Sequence, residues 1–146
     1  MFHRVLVAVD PSPARHSVVR LAGDVARLNG AKVRVLHVAP TAATLAAVVP
    51  LENDAEAKAV LDEAVTALRD SGVDAEGAVA GGLTTQIATT ISAAAEEFGA
   101  DLLVLGHHHR GPLEAFVSPR VSDAVAHAAR IAILLAPEDT TAAGQD

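Results

Sequence analysis

The sequence predicts an α/β fold: a single open, doubly wound parallel sheet of five strands, Rossmann-like, with helices on both faces. Three observations predict it. Short apolar runs alternate with segments whose apolar residues recur at helical spacing, in the order βαβαβαβαβ, and such alternation implies a parallel sheet. The runs RVLVAV (4–9) and IAILL (131–135) are continuously apolar, as strands covered on both faces are. Glycine or proline punctuates the junctions between segments.

Arg4 to Val9 form the first strand, stopped by Asp10-Pro11-Ser12-Pro13. Ser12 suits a helix N-cap, and Pro13 a first helical position where a missing N–H costs nothing. Val18, Leu21, Ala22, Val25 and Leu28 then follow a helical period until Asn29-Gly30. Lys32 to Val38, KVRVLHV, is the second strand. Residues 39–52, APTAATLAAVVPLE, read as a Pro-bracketed surface connection, with a lid, a short helix or a partner surface as alternatives.

A second helix runs from about Asp54 to Asp70, with Ala57, Leu61, Ala64 or Val65, and Leu68 inward, closed by Ser71-Gly72. Val73 to Val79 form a third strand whose Asp74, Glu76 and Gly77 suit a sheet edge. Gly81-Gly82 leads to a third helix with Thr84 as its cap, Ile87, Ile91, Ala94, Ala95 and Phe98 as its stripe, and Gly99 as its stop. Asp101 to Leu105 is the fourth strand, Ser118 to about Ala129 the fourth helix, and Ile131 to Leu135 the fifth strand, stopped by Pro137. Residues 1–137 form one domain, and 138–146 read as a disordered tail.

Composition narrows the function. The chain of 146 residues is 51% apolar, enough for one core. Its net charge of −7 argues against broad binding to nucleic acid or to an anionic membrane. It contains no Cys, which excludes a disulfide framework and a thiolate-ligated zinc. The apolar run at the N-terminus is too short for a signal peptide or a membrane span, so a cytoplasmic location is expected. Neither GxxxxGK[ST] nor GxSxG occurs, which removes the P-loop and the simplest hydrolase readings.

The segment GHHHRGPLEAFVSPRVSD (106–123) follows the fourth strand. Ligands of such sheets bind beyond the carboxyl ends of the strands, where the strand order reverses. With the first strand central, Asp10 and Gly106 would face each other there.

In their order and spacing, RVLVAVDPS, VRVLHV, the Gly82 loop, ADLLVLG and VSDAVAHAARIAILL resemble the universal stress protein family over nearly the whole chain. The resemblance implies the sheet order 3-2-1-4-5 and a homodimer paired through the fifth strand. Many members bind ATP and others do not. In those that do, an Asp closes the first strand, as Asp10 does. The backbone at the end of the second strand, near Val38, receives the adenine. A loop of the form Gly-two residues-Gly-nine residues-Gly-Ser/Thr holds the ribose and phosphates.

Gly106 matches the first glycine of that loop. The second falls on His109, the third on Pro119 and the Ser/Thr on Arg120, after which Val121 and Ser122 continue the family pattern without a gap. A phosphate cradle needs converging backbone N–H groups and glycine's freedom. Pro119 has no N–H and restricts Ser118, and His109 places a ring where bare backbone is wanted. Each lost donor costs about 1–3 kcal/mol. Two or three such losses turn micromolar binding into something near millimolar. Arg120 at a helix start, His107, His109, Arg110 and a displaced Gly111 are the available compensations.

In an extended segment His107 and His109 share a side, but two imidazoles make a weak metal site, and Asp10 is the only evident third ligand. No resident metal is assigned. His3, His16, His37 and His127 lack ligand-like spacing and read as ordinary polar or half-buried residues.

Three functions follow. The first is a dimeric, non-enzymatic stress-response protein with a degenerate ATP loop, weak or absent nucleotide binding and an unidentified protein partner. The second is an ATP binder with slow hydrolysis, in which Asp10 and Mg²⁺ take part. The third is a metal-responsive module built on His107 and His109.

Overall fold

The computed structural model describes residues 1–10, 15–43, 47–50, 54–83, 86–106 and 130–137. Its strands are β1 (Arg4–Val9), β2 (Lys32–Ala43), β3 (Val48–Pro50), β4 (Ala75–Leu83), β5 (Leu102–Gly106) and β6 (Ala132–Ala136). The described helices are α1 (Arg15–Asn29), α2 (Asp54–Asp70) and α3 (Ile87–Phe98).

Five strands lie parallel in the spatial order β4-β2-β1-β5-β6. This is the expected order 3-2-1-4-5, since β4, β5 and β6 are the third, fourth and fifth strands of the sequence reading. Alternating side chains divide the core in two. Val5, Val7, Val33, Val35 and Val104 face α1 and α2. Leu6, Ala8, Leu36, Leu103 and Leu105 face α3, which lays Ile87, Ile91, Ala95 and Phe98 against them.

The connection after β2 is more ordered than a surface loop. Residues 39–43 extend β2, and β3 pairs with them antiparallel through Thr41↔Pro50, Ala42↔Val49 and Ala43↔Val48. β4 likewise continues to Leu83, so Gly81-Gly82 belongs to a strand and not to the turn before α3. In both places the apolar and small residues follow neighbouring strands, an influence a local pattern does not carry. The α3 N-cap is Gln86. Thr84, the fourth helix (118–129) and the tail (138–146) lie outside the described residues.

The face of α1 is also corrected. Its buried residues are Val18, Val19, Ala22, Gly23 and Ala26, while Leu28 is 87% exposed. α1 packs against α2 as well as the sheet. A Cβ at Gly23 would stand 3.1 Å from Leu68 Cδ2, so the contact face selects small residues that an apolar count overlooks. At the far end of α3, Gly99 takes the left-handed conformation (φ 72°) and donates its N–H to the Glu96 carbonyl.

Candidate functional site

The site grows out of the point where β1 stops. β1 pairs with β2 up to Val9↔His37 and with β5 through Val7↔Val104. Carrying the β5 register two residues further brings Gly106 level with Val9, and Gly106 pairs with Ala136 on its other side. Asp10 is the first residue past β1 and is 2% exposed. Asp10, Val38 and Gly106 therefore meet at the carboxyl ends of the three central strands, on either side of the place where the chain's direction of travel across the sheet reverses.

β2 outlasts its neighbour. Val38, Ala39 and Pro40 pair only with β4, through Ala80, Gly81 and Gly82. β1 has already ended, and β3 joins β2 only from Thr41 onward. A gap about three residues long, roughly 10 Å, is left in the ladder on the β1 side.

The direction of the backbone groups in this gap follows from the strand's start. Lys32 donates its N–H to His3 O on the β1 side (3.0 Å), and Val33 donates to Asp74 O on the β4 side (2.8 Å). Even-numbered residues of β2 thus turn toward β1, Val38 among them. The ladder's next donor to the Val38 carbonyl would belong to residue 11. Residue 11 is a proline and carries no N–H. β1 therefore has no donor for this carbonyl, an acceptor suited to an amino group such as that of a purine. The buried carboxyl of Asp10 lies one step away in register.

His37, which the sequence reading left without a role, is fully buried beside this gap. Its Nδ1 lies 3.2 Å from Val9 O. A carbonyl only accepts, so Nδ1 carries the proton and donates. The signal was present: a histidine within a strand covered on both faces must find a partner. Gly106 has room, because an added Cβ would meet only Val18 Cγ2 at 3.5 Å.

His107, His109, Arg120, Val121 and Ser122 lie outside the described residues. Among the described residues, no cluster of three His, Asp or Glu side chains could hold a metal. Nor, among them, is any helix long and apolar enough to cross a membrane.

Two carboxylates at the opposite, amino-terminal end of the sheet are held below their usual range. Asp101 is pushed up by partial burial but pulled down further by the N–H groups of His3 (2.7 Å) and Arg4 (3.0 Å). Glu76 is raised by partial burial and lowered more by Arg34 and Lys32 beside it. Both belong to the scaffold.

The comparisons with known proteins agree with this architecture. The model of the universal stress protein family matches residues 1–137. No curated protein matches the chain. Among solved structures, the chain is similar to a universal stress protein from Archaeoglobus fulgidus, with 26% identity, 93% of this chain and 99% of that one covered, and a TM-score of 0.71. It is similar to a structure of the universal stress protein from that organism in complex with dAMP, with 25% identity, coverage of 92% and 97%, and a TM-score of 0.69. A universal stress protein in complex with cAMP shares the fold at 23% identity, with coverage of 92% and 96% and a TM-score of 0.69.

Proposed function

This chain belongs to the universal stress protein family, and from that premise we propose that it is a small cytoplasmic, dimeric stress-response protein that binds adenine nucleotides weakly or not at all and performs no catalysis. The observation that carries this reading is a mismatch between two halves of one site. The adenine side is built: Val38 presents a carbonyl that β1 has no donor for, Asp10 is buried beside it, and Gly106 closes the far edge. The phosphate side departs from the family pattern, with His109, Pro119 and Arg120 at three of the four signature positions. Val121 and Ser122 then continue the helix start that would face the phosphates. The relatives crystallised with dAMP and cAMP support an adenine ligand for the built half.

On this reading base and ribose supply most of the affinity, and ATP gains little over adenosine. Bound ATP would bring Mg²⁺ with it, and Asp10 is the carboxylate placed to meet that ion. Dimerisation proceeds through β6, an edge strand with Ala132 and Leu135 exposed. The functional output is contact with a protein partner.

The chain has neither Trp nor Tyr, so the apoprotein is nearly transparent at 280 nm. Purified protein is expected to show no absorbance maximum near 260 nm. A maximum there, with nucleotide released on denaturation, would favour the ATP-binding, slowly hydrolysing alternative. The metal alternative is tested by zinc titration of the native chain and of H107A/H109A, and equal affinity removes it.

A further inference from the structure

We propose that the trough between the outer faces of α1 and α2 is a docking site for an acidic amphipathic helix of a partner protein. The proposal rests on the reading that this chain acts through a protein partner, and not on whether a nucleotide binds.

The trough has a volume of about 420 Å³. Its walls run from Arg15 to Arg27 on α1 and from Glu63 to Ser71 on α2, about 18 Å and 12 Å at the helical rise. An occupant that fills it is elongated, which favours about three turns of helix over a compact small molecule. The floor is small or apolar, with Val19, Gly23, Ala64, Ala67 and Leu68. That is the surface on which the apolar edge of a third helix packs.

The rim carries the charge code. Three arginines, Arg15, Arg20 and Arg27, line the trough against two carboxylates, Asp24 and Glu63. The local balance is +3 − 2 = +1 on a chain of net charge −7. Arg15 is paired with Glu63 at 3.4 Å and Arg27 with Asp24, while Arg20 has no carboxylate partner among the described residues. Arg20 and Arg27 stand seven residues apart on one stripe, about 10.5 Å, and Asp24 stands between them.

A matching partner helix therefore carries carboxylates at positions i and i+7. At i+3 or i+4, opposite Asp24, it carries a neutral or basic residue, because a third carboxylate there would be repelled. Leu28 lies one turn past Asp24 on the same helix. It is the only large apolar side chain on a described helix that stands exposed, at 87%. It offers an apolar anchor at the end of the trough.

The test uses the full chain and a labelled 15-residue helical peptide with an Ala/Leu face, Glu at i and i+7, and Lys at i+4. Fluorescence anisotropy is expected to show saturable, salt-sensitive binding. Amide shifts are expected to be confined to residues 15–28 and 63–71. R20E/R27E should weaken binding at least tenfold and L28S several-fold. A peptide with Lys at all three positions should bind R20E/R27E and not the native chain. No saturable binding up to millimolar peptide, equal affinity for native chain and R20E/R27E, or tighter binding of a peptide with Glu at i+4 would each overturn the proposal. Nucleotide titration of R20E/R27E should match that of the native chain, so failure here is distinguishable from failure of the nucleotide reading.

Discussion

The Nδ1 of the fully buried His37 lies 3.2 Å from the carbonyl oxygen of Val9, its own register partner across the β1–β2 ladder. This bond ties the last residue of β1 to the strand that continues past it. It fixes the edge of the gap in which Val38 and Asp10 are placed. H37A removes the donor and leaves a hole in a dry site, and is expected to cost about 2–3 kcal/mol. Urea unfolding would measure the loss, and an unchanged midpoint would show that the bond contributes nothing to the strand end.

Two glycines should respond in opposite ways. At Gly77 an added Cβ would stand 2.8 Å from Leu61 Cγ, so G77A forces α2 away from β4 and is expected to lose about 1–3 kcal/mol. At Gly106 the same methyl meets only Val18 Cγ2 at 3.5 Å. G106A should therefore change stability by less than about 0.5–1 kcal/mol. Parallel thermal melts check the contrast. G106A should nevertheless weaken adenosine binding, if any is measurable in the native chain, because the methyl projects at the edge of the cleft.

G99A places a Cβ on a residue at φ 72°, where the chain turns from α3 into β5. The expected cost is about 1 kcal/mol. G99N, which tolerates the left-handed region better, should lose less, and equal losses would contradict the cap assignment.

Asp101 accepts N–H bonds from His3 and Arg4, and its carboxyl is held below the usual range. A carboxylate whose folded-state value is depressed contributes stability that is fully present above its unfolded value, near 3.9, and lost as pH falls through the lower folded value. D101N should therefore lower stability at pH 7 by about 1 kcal/mol, and the deficit relative to the native chain should shrink as pH falls below about 4. A deficit independent of pH would show that the charge plays no part.

Much of this fold was legible in the sequence because strands covered on both faces leave continuous apolar runs, and RVLVAV and DLLVL were such runs. α2 and α3 were legible because Leu61, Leu68, Ile87 and Ile91 repeat at helical spacing over a single core. The face of α1 was not, because it packs on two neighbours and buries Gly23 and Ala26 where a pattern of large apolar residues points to Leu28. The β2–β3 ladder was hidden for a related reason: Ala39 to Ala43 has weak strand preference and is held by pairing. Within the site, Asp10, Val38 and Gly106 were found from their places at strand ends. His37 was overlooked because spacing suggests ligands and does not show burial.

The measurement that bears most directly on the account is calorimetric titration of ATP, AMP and adenosine into the native chain and into H109G/P119G/R120S. For the native chain the expected ATP affinity is near millimolar, about −4 kcal/mol, and within a few-fold of adenosine. Restoring the family's loop pattern should tighten ATP by about a hundredfold, ~2.7 kcal/mol, and leave adenosine unchanged. Micromolar ATP binding by the native chain, far tighter than adenosine, would contradict the account.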